Sequence, residues 1–156
     1  MRDVYVLIEG LREFAIKHTK MNVNSIHGVS HWDRVAKNAD SLKTCDVDVL
    51  VVKAFAYVHE VERENENDDP QHGLRAAKQV DEIHSTVLEF LTEKEIQQLK
   101  EACELHTTTL RTEDATVSPV AKVMRTGTRA LLMEQVASCL VQMPRNSLTS
   151  MNTERP

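Results

Sequence analysis

Residues 47–60, VDVLVVKAFAYVHE, constrain the fold of this chain more than any other stretch. The run is apolar nearly all round at helix length, and such a helix is a buried core helix. It ends in His59-Glu60, two polar, titratable residues delivered into or beside the core. Burying such groups is costly unless they are paired, hydrogen-bonded or bound to a metal. Asp46 stands where it would cap this helix. The Val-rich start would also suit a strand, but the length and the Ala-Phe-Ala-Tyr segment favour helix.

The other apolar stripes read as helices packed around that one. Residues 4–17 form an amphipathic helix with Leu7, Leu11, Phe14 and Ala15 on one stripe, and His18 at its end reads as a surface or capping histidine. Residues 21–29 are a loop containing His27-Gly28. Ser30 is the expected N-cap of a helix over 31–42, with Asp33 as a capping-box carboxylate. Val35, Ala39 and Leu42 face inward there. His31 lies one turn before Val35, while Trp32 and Arg34 fall on neighbouring faces. The polar stretch VERENENDDPQHG reads as a loop, with Asp69-Pro70 as N-cap and first residue of the next helix. That helix carries His72 in its first turn, then Ala76, Val80 and Ile83 along its stripe, and His84 caps its end. Thr92-x-x-Glu95 is a capping box opening a further helix, with Ile96, Leu99, Cys103 and His106 inward. A loop, TTTLRTEDATVS, precedes a last long helix from Pro119 to about residue 141, on which Met124, Thr128 and Leu131 share a face.

With four glycines and four prolines in 156 residues, turns are few, which favours helices over a many-stranded fold. The expected architecture is an all-α, single-domain bundle of about six helices over residues 1–142, with a polar C-terminal tail over 143–156. The net charge of −5, without a basic block, excludes the footprint of a nucleic-acid binder. No run suits a membrane span, and the first residues lack the design of a secretory signal. Three scattered cysteines (Cys45, Cys103 and Cys139) fit reduced core thiols in a cytoplasmic protein.

Four histidines, His31, His59, His72 and His106, each fall near a helix end and in register with an apolar stripe. A single inward histidine is most often a satisfied core residue. Four on four different helices, with Glu60 beside one of them, point to a metal site built in a bundle core.

The segments HGVSHWDRVAKN, AFAYVHEVEREN, DDPQHG and ELHTT, in this order and spacing, resemble the HD superfamily of metal-dependent phosphohydrolases. They are most similar to a small bacterial subgroup with an HGxxHWxRVxxN opening. The resemblance spans roughly residues 26–132. It implies that His31 is the first metal histidine and His59 the histidine of the HD pair. Glu60 stands in place of the family's aspartate, and His72 and His106 match the histidines of two-metal members. It further implies a divalent transition metal (Mn, Fe, Co, Ni, Zn or Mg) that activates water and polarises a phosphoryl oxygen. The substrate expected is a small phosphorylated molecule, a phosphoester or a nucleotide. Glu60, Glu64 and Arg63 are the candidate catalytic side chains, Glu64 to orient the water or a histidine behind the ligands. Arg34, Lys53 and Arg63 are candidates to hold a phosphate.

Two departures weaken the expected activity and metal affinity. Glu60 is one methylene longer than aspartate, and ligand placement at roughly half-ångström precision governs such sites. The final metal aspartate of the family is replaced by Thr128, in RTGTRA, and the carboxylates Glu113, Asp114 and Glu134 stand at other spacings. The alternative is therefore a catalytically degenerate HD-fold module that binds a metal, nucleotide or protein. An oxygenase of the kind found on di-iron relatives would need the complete ligand set. The sequence leaves the oligomeric state open, a homo-oligomer included.

Overall fold

The structure is a computed structural model that describes residues 3–40 and 48–107. Among these residues it is all-helical, with α1 Val4–His18, α2 Val29–Ala39, α3 Val49–Val58, α4 His72–Ile83 and α5 Glu93–His106 in chain order. The sixth expected helix from Pro119, Thr128, the carboxylates Glu113, Asp114 and Glu134, the boundary at 142/143 and the tail lie outside the described residues. None of the described helices is long and apolar enough to cross a membrane.

The hydropathy of α3 decides the architecture. Val51, Val52, Ala54, Phe55, Ala56, Tyr57 and Val58 are all buried, as an all-round apolar helix requires. It packs against α1, α2 and α5, while α4 packs on α5. The expected helix boundaries shift by a residue or two, because capping depends on local backbone geometry. Asp48, not Asp46, caps α3, accepting from the amides of Leu50 (3.0 Å) and Val51 (3.2 Å). Gly28, not Ser30, is the N-cap of α2 and supplies no side-chain bond. A Cβ at Gly28 would lie 2.2 Å from the Val23 carbonyl oxygen, so the loop before α2 folds onto a position only glycine fits.

Two aspartates read as caps hold tertiary contacts instead. Asp33 accepts from the Arg12 guanidinium through both oxygens (2.9 and 3.1 Å) and from the Tyr57 hydroxyl (3.1 Å), tying α1, α2 and α3 together. The Arg12 hydrogen bond holds the Asp33 carboxyl below its ordinary range. Asp69 accepts from Arg75 (2.6 Å) and from the Glu64 amide (2.9 Å), which pins the loop between α3 and α4. α4 starts later, with Gln71 as its N-cap. Trp32 is not on a neighbouring face but in the core, 1% exposed, whereas Val35 is only partly buried against it. The capping box of Thr92 and Glu95 is present, with Ile96, Leu99 and Cys103 buried as expected. Cys103 is a buried free thiol, and Cys45 and Cys139 fall outside the described residues.

Gly73 sets the closeness of α4 and α5. A Cβ there would meet the Cys103 carbonyl oxygen at 2.2 Å and the His106 ring at 3.1 Å. Gly73→Ala must therefore push the two helices apart, and overpacking of this kind typically costs about 1–3 kcal/mol. Urea unfolding checks this. An unchanged midpoint would mean that the helix interface yields without cost.

Candidate metal centre

The apolar helix α3 ends where the site begins. His59 closes it as C-cap, its amide bonded to the Phe55 carbonyl (3.1 Å). The chain then turns, with Val61 fully buried as the anchor of the turn. Glu60, between two buried residues, is carried inward and is only 5% exposed. α2 brings His31 from its first turn, α4 brings His72 as its first residue, and α5 brings His106 as its last.

These five residues converge as two three-residue groups that share Glu60. His31, His59 and Glu60 form one, and Glu60, His72 and His106 the other, with the ligand atoms of each within 4.8 Å of one another. The Nε2 atoms of His31 and His59 are 3.2 Å apart, and those of His72 and His106 2.9 Å. Glu60 Oε1 lies between the pairs, 3.6 Å from His59 Nε2 and 3.7 Å from His72 Nε2.

Tautomers follow from the outer nitrogens. Nδ1 of His59 faces the Phe55 carbonyl (2.9 Å), Nδ1 of His106 faces that of Cys103 (2.8 Å), and Nδ1 of His72 faces that of Asp69. A carbonyl only accepts, so each Nδ1 carries the proton and donates it. Each Nε2 then presents a lone pair to the centre of the cluster. At 2.9 Å the two lone pairs of His72 and His106 repel unless a cation or a proton lies between them. Two nitrogens bound about 2.0–2.1 Å from one zinc-sized ion are about 2.9–3.4 Å apart at angles of about 90–110°. Both imidazole pairs match that spacing. Imidazoles oriented by backbone carbonyls through the distal nitrogen are also the usual support of metal ligands. The residues could hold a metal ion.

Electrostatics agree. Burial drives the pKa of His31 down to about 4, helped by the charges of Arg34, His27 and Arg63. Burial also drives His106 down to about 4, against the Cys103 hydrogen bond that favours its charged form. His59 falls well below its ordinary value for the same first reason. At neutral pH these rings are therefore unprotonated, the state a metal needs. Burial raises the Glu60 carboxyl, although His72, Arg63 and His27 pull it the other way.

Arg63 belongs to this centre. Its Nη1 is 3.3 Å from Glu60 Oε2 and 3.4 Å from both ring nitrogens of His72. Nε donates to the Asn65 carbonyl (2.8 Å) and Nη2 to that of Asn67 (2.6 Å). Arg63 is 6% exposed, and its guanidinium is locked in place. Glu64, in contrast, is 55% exposed and pairs with Lys20 (3.5 Å) and Arg75 (3.6 Å), outside the imidazole cluster. Arg34 is exposed on α2. Lys53 pairs with Asp40 (2.9 Å), about 9 Å along the α3 axis from His59.

Sequence reasoning missed His27. Its Nδ1 lies 3.7 Å from Glu60 Oε1, and its ring packs edge-on to His31. The available signal was the four-residue spacing between His27 and His31 across the cap of α2. His18 and His84 are the exposed end-of-helix histidines that the stripes indicated, each turned back onto a carbonyl of its own helix. No family model matches the chain, and neither a curated protein nor a solved structure matches it.

Proposed function

We propose that this chain is an HD-superfamily, metal-dependent phosphohydrolase acting on a small phosphoester or nucleotide. The observation that carries the reading is the closure of two imidazole pairs, with Nε2 atoms 3.2 and 2.9 Å apart, around one oxygen of Glu60. The motif order of the HGxxHW, HE and DPxHG segments supports hydrolysis as the chemistry. A dication held there supplies a water of lowered pKa and a Lewis acid for the phosphoryl oxygen. His31, His59 and Glu60 hold it, and His72 and His106 extend the donor set. The Phe55, Cys103 and Asp69 carbonyls keep the rings oriented. Arg63 fixes the Glu60 carboxylate and adds positive charge beside it. The buried thiol of Cys103 accords with a reducing, cytoplasmic setting.

Protein stripped by chelator and reloaded with Mn²⁺, Co²⁺, Ni²⁺, Zn²⁺ or Mg²⁺ is expected to release phosphate from p-nitrophenyl phosphate or nucleoside monophosphates. Glu60→Gln and His59→Asn should each lower that rate by at least about 10–100-fold, the range seen when a metal ligand's support is lost. The degenerate binding module is the second reading. It is favoured by the hold of Arg63 on Glu60 Oε2 (3.3 Å), which restrains the carboxylate. Metal binding without turnover across the panel would decide for it. Under the enzyme reading, Thr128→Asp combined with Glu60→Asp raises metal occupancy and rate together.

A further inference from the structure

The two triads share Glu60 but are not equivalent, and the difference lies in Arg63. We infer that the cluster is two unequal cation sites: a transition-metal dication fills His31–His59–Glu60 first, and Arg63 holds Glu60–His72–His106 to much weaker binding. The inference rests on reading the cluster as a metal centre and adds the order and its cause.

Three observations carry it. First, Glu60 divides its oxygens. Oε1 faces the imidazoles at 3.6 Å (His59) and 3.7 Å (His72), while Oε2 is taken by Arg63 Nη1 at 3.3 Å. A carboxylate that bridges two cations through separate oxygens needs both, and here only Oε1 is free of the guanidinium. Second, the same Nη1 is 3.4 Å from both nitrogens of the His72 ring. Two of the three donors of the second triad are thus in contact with a fixed positive charge, whereas neither His31 nor His59 has such a contact with it. Like charges at such separations in a partly buried site repel strongly. Third, Arg63 cannot swing away at low cost. Its other donors are satisfied by the carbonyls of Asn65 (2.8 Å) and Asn67 (2.6 Å), in the loop that Asp69 and Arg75 pin (2.6 Å). His27 Nδ1, 3.7 Å from the same Oε1, stands beside His31 on the side of the first triad.

Isothermal titration of the chelator-stripped full chain with Co²⁺ tests this, read together with the Co²⁺ visible absorption bands. One equivalent is expected to bind, with any second equivalent at least roughly tenfold weaker, a typical effect of a group behind the ligands. His31→Asn should abolish the strong event, while His106→Asn should leave it in place. Arg63→Gln should narrow the gap between the two affinities, with Arg63→Lys restoring it. Two equivalents of equal affinity would overturn the inference, as would loss of the strong event in His106→Asn but not in His31→Asn. A folded Arg63→Gln, verified by circular dichroism, with an unchanged affinity ratio would also overturn it. The histidine pair decides the order even if Arg63→Gln does not fold. Absence of any Co²⁺ binding by the wild-type chain is a different result: it removes the metal centre itself.

Discussion

Acidification of the metal-free protein is expected to remove roughly 2–5 kcal/mol of stability between about pH 6.5 and pH 4. The cause is the set of buried neutral imidazoles. Burial pushes His31 and His106 down to about 4 in the fold, and holds His59 well below its ordinary value of 6.5. In that window the unfolded chain binds protons that the folded chain refuses, so stability falls as pH falls. Above the unfolded value of 6.5 the contribution is fully present. Each proton of difference is worth about 1.4 kcal/mol per pH unit. Glu60 works in the opposite direction. Its raised carboxyl takes up a proton in the fold before the unfolded chain does, which offsets part of the loss. His31 is also partly open to solvent, so its share is discounted. The remainder is still a large part of the ~5–15 kcal/mol that stabilises a typical domain. Urea melts of chelator-treated protein from neutral pH to about pH 4.5 measure it. A midpoint that stays flat or rises on acidification would show that the rings are charged in the fold, and the tautomer assignment would fail with it.

Metal loading is the second large effect. A cation that binds only the folded state at a hundred times its dissociation constant adds about 2.7 kcal/mol. For a chain of this size that is a rise in Tm of roughly 5–10 °C. The structural reason is the close approach of the Nε2 atoms, 3.2 Å for His31 and His59 and 2.9 Å for His72 and His106; the two lone pairs of the second pair repel in the absence of a cation, and both pairs have the spacing to converge on one. His59→Asn should abolish the gain. Glu64→Gln should keep it, because the Glu64 carboxylate is committed to Lys20 and Arg75. Differential scanning fluorimetry with Mn²⁺, Co²⁺, Ni²⁺ and Zn²⁺ reads both. If no metal raises the Tm of the wild-type chain, the cluster is a hydrogen-bonded core network and the hydrolase reading loses its basis.

Periodicity is local, and what depends on it is legible in the sequence. The all-round apolar run had to become the central helix, since no other placement removes Val51, Phe55 and Val58 from water. The stripes through Ala76, Val80 and Ile83 and through Ile96, Leu99 and Cys103 name the buried faces of α4 and α5. A histidine in register with such a stripe tends to point the same way, but His18 and His84 nearly meet the same pattern and are exposed, so it is four histidines on four helices beside Glu60 that point to the inward set. Long-range placement is not legible. Asp33 and Asp69 carry the chemistry of caps, but the guanidinium groups of Arg12 and Arg75 outcompete a local amide once the fold brings them within reach. His27 sits in a loop with no periodicity to betray its direction. Glu60 ends the apolar run and reads as inward, whereas Arg63, three residues on, lies in a polar run that reads as a loop. The turn after α3, anchored by Val61, is what carries Arg63 inside beside it. The order of residues along the chain thus dictates which faces are apolar and which imidazoles ride on them. Which oxygen of Glu60 faces the rings and which is held by Arg63 is set by the packed fold, because electrostatic pairing follows distance through space and not along the chain.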